Sequence, residues 1–424
     1  MQNSKIKVLG FDSWTMGASH YIRLIEAFDS NNFELLLVHL GSWGNEPNSS
    51  KEETIQGLKV RDISFYKTKD FDKILKFENP DVVLFLSTGS FAHRAMLRYC
   101  NTFSIPTINL AHGIMSVGHY KGENAPVKVS IIAHISFVLS RTKITVFHVL
   151  PIYFMSLWKT KASIKEWIRF LTDLKDRIFY KEQFKYALDA KPTVACVFVN
   201  AEVDDAMTRY SLTENEVEVV GNPDLMKFQI DYSMIENQLS IDRSSYTDII
   251  YIECGMTFFG VYFKSTDEYC EHIGKISKAL NDFGFRLLFK IKPQTPEYVE
   301  RLTKGLLKNG VNIIDNDTFQ QNLLNARACI TEPSTLGILP ELLGLPVFVN
   351  KMDQLDTLLY GDIFMNYPAV VDLNDIQNFK VELLNIEQKC KKDFLKKWIF
   401  DNSGPLPAAE MPYRIVDVIK RIVK

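Results

Sequence analysis

The sequence predicts an α/β protein built from two doubly wound, parallel-sheet halves. Short apolar runs alternate with amphipathic helical segments along most of the chain, the pattern of βαβ units. A basic, aromatic-rich stretch interrupts the alternation once, and then it resumes. The length of 424 residues fits two domains at roughly 100–200 residues each.

In the first half, KIKVLGFD (5–12) is the first strand. GASHYIRLIEAFDSN follows as a helix with apolar Ile22, Leu24, Ile25 and Phe28 on it. FELLLVHLG (33–41), VVLFLS (82–87) and PTINLAHG (106–113) are further strands, with FDKILKFENPD and HRAMLRYCNTFSIP as helices before the last two. In the second half the strand-like runs are TVACVFVN (193–200), VEVVGNPD (217–224), DIIYIECG (248–255), FRLLFKIKP (285–293), VNIID (311–315), ACITE (328–332) and PVFVN (346–350). MPYRIVDVIKRIVK closes the chain as a helix. The expected division is a first domain over 1–190, a second over 191–405, and a terminal helix over 406–424 that packs back on the first.

The composition is that of a globular protein, 46% hydrophobic and 24% charged. A net charge of −2 argues against a nucleic-acid partner. Six scattered cysteines (Cys100, Cys196, Cys254, Cys270, Cys329 and Cys390) make no CxxC pair, which suits a reducing cytoplasm. The opening MQNSKIKVLGFDSW lacks the apolar core of a signal peptide. The interrupting stretch is expected to be a helical insertion over about 120–188. Within it, 121–185 carries 12 Lys and Arg against 5 acids. Its apolar halves, split by Arg141 and Lys143, fall short of the ~20 residues of a spanning helix. Basic residues beside Phe147, Tyr153, Phe154 and Trp158 suit the surface of an anionic bilayer. Packing on the first domain with solvated charges is the simpler use.

ITEPSTLGILPELLGLPVFV (330–349) reads strand, turn, helix, strand. Its turn holds Glu332, Ser334 and Thr335, and Glu341 follows inside the helix. A helix start offers unpaired N–H groups and positive partial charge to a phosphate. Ser334 and Thr335 add hydroxyls there, although an N-cap at Ser334 with Thr335 at N1 also accounts for them. Glu332 ends a strand, where α/β sheets place ligands, and a carboxylate suits a ribose diol. In the turn after DIIYI, Gly255 admits a ligand close to the backbone and Thr257 offers a hydroxyl, or the turn is a plain one. Lys290 and Lys292 offer charge to a pyrophosphate, or are surface lysines at a strand end. Phosphate-loop, dinucleotide and nucleophile-elbow motifs are missing, and Asp315-Asn316-Asp317 reads as a helix cap. No obligatory metal or cofactor is expected.

Taken in order, these pieces resemble GT-B glycosyltransferases, in particular bacterial surface-polysaccharide (capsule or O-antigen) transferases. TEPSTLGILPELLGLPVFV is similar to their donor-binding element, VEVVGNPDL (217–225) to the strand that opens their second domain, LLFKIKPQTPEY (287–298) to their K-x-H-P stretch, and PTINLAHGI (106–114) to their P-x-x-x-x-H-G. The likeness covers most of the chain outside roughly 120–190. It departs at Lys292, which stands in place of the K-x-H-P histidine.

The resemblance implies a GT-B fold, two Rossmann-like domains facing a cleft. It implies a nucleotide-sugar donor, UDP-sugar first, held by Gly255, Thr257, Lys290, Lys292, Glu332, Ser334, Thr335 and Glu341. Gly17 and Ser19 resemble the acceptor-side loop, and Ser87 and Thr88 end another strand on that side. The base of an inverting, metal-independent displacement is then His20, Asp12 or His112. The implied acceptor is a lipid-linked or growing surface glycan, and the implied location is the inner face of the cytoplasmic membrane, held peripherally through 121–185. Three other readings remain open: a transferase using a CMP-activated acidic sugar, a sugar-nucleotide 2-epimerase, and a non-catalytic scaffold of the same fold.

Overall fold

The computed structural model describes residues 5–13, 17–44, 46–111, 144–178, 191–228, 230–255, 257–258, 262–356, 358, 360–389 and 392–423. His112 and residues 121–143 and 179–185 of the basic segment lie outside the described residues. The described chain forms two units: one takes the residues up to Gly221 and resumes at Glu410, and the other spans Asn222–Ala409.

The sheet of the first unit has eight strands: β1 (Ile6–Asp12), β2 (Phe33–His39), β3 (Glu52–Ile55), β4 (Leu58–Asp62), β5 (Val82–Phe85), β6 (Thr107–Leu110), β7 (Val194–Val197) and β8 (Val217–Val219). Their order is β3-β4-β2-β1-β5-β6-β7-β8. All neighbours are parallel except β3 and β4. Strands β5, β6 and β7 are buried at every position, which explains their unbroken apolar reading. The β3–β4 hairpin turns through Gln56 and Gly57, both at positive φ (47° and 87°), as a tight two-residue turn demands.

The expected boundary at 190/191 is corrected here. Strand β7 pairs with β6 and β8 pairs with β7, so the strand expected to open the second domain closes the first sheet. The chain leaves the first unit after Gly221, a glycine at φ 101°. The closing helix Met411–Ile422 belongs to the first unit, against the helix Ile25–Ser30. Lys420 Nζ donates to Asn31 Oδ1 at 2.8 Å, and Arg414 Nη1 to the Val220 carbonyl at 3.0 Å.

The described part of the insertion is a helical hairpin, Leu150–Lys159 and Ile164–Ile178, entered through a π-helical turn at Thr145–Val149. Ile152, Tyr153, Leu157 and Phe170 are buried in the core that includes the helix Phe91–Thr102. Arg94, 2% exposed, pairs with Asp173 at 2.9 Å, and Arg98 pairs with Glu166 at 2.6 Å. Among the described residues, no helix is long and apolar enough to cross a membrane.

The second unit has a six-stranded sheet: β9 (Asp248–Ile252), β10 (Arg286–Lys290), β11 (Asn312–Ile314), β12 (Ala328–Thr331), β13 (Val347–Asn350) and β14 (Val370–Leu373). The order is β11-β10-β9-β12-β13-β14, parallel throughout. In chain order this is 3-2-1-4-5-6, so the winding reverses between β9 and β12. Ligands of doubly wound sheets bind in the crevice at that point, beyond the carboxyl ends of the strands.

Candidate functional site

Two turns meet at the reversal in the second unit. Glu253-Cys254-Gly255 follows β9, and Glu332-Pro333-Ser334-Thr335 follows β12. The register carries both: the Glu332 N–H donates to the Ile252 carbonyl at 3.0 Å, and the Glu253 N–H to the Lys290 carbonyl at 3.2 Å. Ile291-Lys292-Pro293-Gln294, after β10, lies alongside.

Glu332 is 2% exposed and both its carboxylate oxygens are held from within. It accepts from Tyr251 Oη at 2.7 Å, Tyr269 Oη at 2.6 Å and the Cys254 N–H at 2.9 Å. Tyr251 Oη in turn accepts from Asn350 Nδ2 at 2.9 Å. Glu253, also 2% exposed, accepts from the Lys292 N–H at 2.8 Å and Tyr298 Oη at 3.0 Å. Burial, with the nearby charge of Glu332 adding to it, pushes the Glu253 carboxyl up to about 7.

The other expected donor residues divide by exposure. Lys290 is 5% exposed, its Nζ donates to the Ile291 carbonyl at 2.7 Å, and burial lowers its pKa. Glu341 is fully buried, and neither oxygen has a hydrogen-bond partner among the described residues. Burial raises its pKa well above the ordinary carboxylate value. Both side chains therefore face the interior rather than the mouth of the crevice. Lys292 and Thr335 are exposed, and Ser334 and Thr257 half-buried. Lys292 Nζ donates to the Cys254 carbonyl at 3.0 Å, tying the β10 turn to the β9 turn. Gly255 has φ 77°, and a Cβ there would lie 2.6 Å from Gln294 Nε2. Ser334 is the N-cap of the short helical segment 335–342, its Oγ accepting from the Leu336 N–H at 3.4 Å.

In the first unit, the register sets Asp12, His39 and Asp62 side by side at the carboxyl ends of β1, β2 and β4. Asp12 is 8% exposed and accepts from the Ser13 N–H at 2.5 Å. Burial raises its carboxyl to about 6. A Cβ on Gly17 would collide with that carboxylate, so a glycine is required for the close approach. Ser19 is exposed and His20 half-buried on the short helix Ala18–Ile22. Thr88 is buried, and Ser87 Oγ accepts from the Gly89 N–H at 3.2 Å. His39 is completely buried, and burial lowers its pKa. Its Nδ1 accepts from the Gly41 N–H at 3.1 Å and lies 3.6 Å from Asp62.

Sequence reasoning missed His39, Asp62, Gln294 and the tyrosines Tyr251, Tyr269 and Tyr298. Their only signal was a polar side chain inside or beside an apolar run, which singles out no partner. Among the described residues, no three His, Cys, Asp or Glu side chains cluster as metal ligands.

No family model matches the chain, and no curated protein matches it significantly. Among solved structures, the chain is similar to CalG4, the calicheamicin glycosyltransferase, at 11% identity and a TM-score of 0.54, over 99% of this chain and 98% of that one. A glycosyltransferase from Rickettsia africae ESF-5 aligns at 12% identity and a TM-score of 0.47, over 99% of each chain. The UDP-GlcNAc 2-epimerase from Neisseria meningitidis, bound to UDP-GlcNAc, aligns at 12% and 0.48, over 98% of this chain and 100% of that one. The likeness to CalG4, together with the two parallel sheets, shows a GT-B fold.

Proposed function

We propose that the chain is a glycosyltransferase that moves a sugar from a nucleotide-activated donor, a UDP-sugar first, to a lipid-linked or growing surface-polysaccharide acceptor. The observation that carries this reading is the reversal between β9 and β12. There a Gly255 turn, an exposed Lys292 and the Ser334-Thr335 pair meet at the carboxyl end of the sheet. Lys292 supplies charge to the donor phosphates, and Thr257, Ser334 and Thr335 supply hydroxyls. Glu332 is reassigned from ribose ligand to frame, because its oxygens are held by Tyr251, Tyr269 and Cys254.

The reaction is a single displacement without an obligatory metal. The acceptor hydroxyl loses its proton to a carboxylate or imidazole base as its oxygen attacks the anomeric carbon. The bond from that carbon to phosphate breaks, and the nucleotide leaves with the electron pair. Asp12 is favoured as the base over His20 and His112. A carboxylate with its pKa raised to about 6 is ionised at neutral pH yet more basic than an ordinary one. The enzyme works at the inner face of the cytoplasmic membrane.

The deciding experiment is a thermal-shift panel of UDP, CMP, CDP and GDP on the purified chain, beside Lys292→Ala and Ser334→Ala. A ligand at about 100 times its Kd stabilises by about 2.7 kcal/mol. A UDP-selective shift lost in both variants supports the reading. A CMP-selective shift moves the donor to an acidic sugar, and no shift with any nucleotide supports the non-catalytic scaffold. Release of UDP with transfer to an added glycan, rather than epimerised donor, separates transferase from 2-epimerase.

A further inference from the structure

The hairpin Leu150–Lys159 and Ile164–Ile178 is apolar on two sides. Its inner side is used: Tyr153 packs on Phe91 and Phe170, and Arg94 and Arg98 hold Asp173 and Glu166. Its outer side has no use within the described residues. Ile164, Ile168 and Leu171 stand at i, i+4 and i+7 of one helix and are 78%, 59% and 60% exposed. Phe154 and Trp158, one turn apart on the other helix, are 53% and 75% exposed. The edge-on contact of Phe154 with Trp167, centroids 4.8 Å apart, links the two rows into one patch. Adjoining exposed aromatic and aliphatic side chains in this number mark a contact surface.

The charges around it name the partner. Lys161 and Lys165 are exposed at the tip of the hairpin, and Lys175 is exposed on the same helical row as Ile164, Ile168 and Leu171. Arg169 adds a further cation beside that row. Glu166 and Asp173, the acids of this hairpin whose side chains are described, are turned inward to the two arginines. The outer face is thus apolar with a basic border. Tryptophan and aliphatic side chains enter the interfacial layer of a bilayer, and lysines meet anionic headgroups there. A protein partner would need acids to match this border, and a second copy of the same face would set lysine against lysine.

We infer that the outer face of this hairpin docks flat on an anionic lipid bilayer, with Trp158, Phe154, Ile164, Ile168 and Leu171 inserted and Lys161, Lys165 and Lys175 on headgroups. The inference rests on the proposed membrane-bound acceptor and specifies the surface that reaches it. The test is co-sedimentation of the full chain with phosphatidylcholine vesicles, with and without phosphatidylglycerol. Two variants accompany it: Trp158→Ser with Ile168→Ser and Leu171→Ser, and Lys161→Glu with Lys165→Glu and Lys175→Glu. All six side chains are exposed, so both variants keep the fold, which circular dichroism checks. Binding that requires phosphatidylglycerol, weakens with salt and falls about tenfold or more in each variant is the expected result. Equal sedimentation of wild type and variants, or a wild-type dimer that Trp158→Ser dissociates, overturns the inference. The nucleotide shift is read on the same samples. Wild type that keeps the nucleotide shift but fails to bind the phosphatidylglycerol vesicles sinks the docking surface alone, and wild type that binds the vesicles but shows no shift sinks the donor site alone.

Discussion

Glu332 stands at the reversal of the second sheet, beyond the carboxyl end of β12, and its carboxylate serves the frame. Its three buried donors come from β9, the β9 turn and the helix Thr266–Asp282, so it holds the mouth of the crevice in shape. Glu332→Ala strips the acceptor from two tyrosine hydroxyls and a backbone N–H. Each unsatisfied group costs about 1–3 kcal/mol, and the variant should lose roughly 3 kcal/mol or more in urea unfolding. Nucleotide binding then falls as a consequence of the damaged frame, whereas Lys292→Ala should lose nucleotide binding at a cost of only about 1 kcal/mol in stability, that of its one hydrogen bond to the Cys254 carbonyl. Glu253 gives a pH test. Its pKa is about 7 in the folded state against an ordinary 4.5, so the folded state holds the proton more tightly. Stability from this group is complete below about 4.5 and is lost as pH rises to about 7, by roughly 3 kcal/mol. Glu253→Gln should flatten that part of the stability-against-pH curve. In the first unit, Asp12→Asn should lower kcat by about a hundredfold or more. It should also remove an acid limb near pH 6 from the kcat/KM profile, since the wild-type carboxyl must lose its proton to act. A limb that survives the substitution moves the base to His20 or His112.

At the scale of elements, the turns carry more information than the strands. The β9 turn exists in its present form because residue 255 has no Cβ: φ is 77° and Gln294 Nε2 would lie 2.6 Å away. Gly255→Ala should cost roughly 1–2 kcal/mol from the left-handed backbone alone. It should also abolish the nucleotide-induced melting shift, because the β9 and β10 turns must separate. The helical hairpin is pinned through buried charge. Asp173→Ala removes a buried carboxylate partner of Arg94, so it should destabilise the chain in denaturant unfolding by more than the ~1 kcal/mol of a surface pair.

At the scale of the molecule, the chain visits the first unit, the second, and the first again. The closing helix buries Met411, Ile415, Val416, Val418 and Ile419. Each such side chain contributes about 1.5–3 kcal/mol by burial. A chain ending at Ala409 should therefore lose stability in the first unit while the second keeps its nucleotide shift. Differential scanning calorimetry with and without nucleotide reads both at once, and a shift lost together with the helix would refute the assignment of the donor to Asn222–Ala409.

Much of this was legible in the primary structure, because an apolar strand buried on both faces announces itself locally. Eleven of the strands, from β1 through β13 with β3 and β4 aside, coincide with runs visible in the residues alone. The misses have physical causes. The hairpin of β3 and β4 alternates polar and apolar residues at a sheet edge and turns on Gln-Gly rather than Asn-Gly, and β14 is an edge strand, half-buried or exposed in its first three residues. The turns at the reversal were legible as motifs, since glycine, hydroxyl and lysine clusters at strand ends are local features. The domain to which β7 and β8 belong was not, because a parallel strand carries no mark of the sheet it joins. Nor was the fate of the acids. Glu332 meets Tyr269 and Tyr251 at separations of 63 and 81 residues, and Glu341 has no hydrogen-bond partner among the described residues. The sequence by itself determined the elements and the places where chemistry collects. Tertiary structure decided which sheet each strand joined and which charged groups water still reaches, because pairing and burial depend on neighbours that the local chain does not contain.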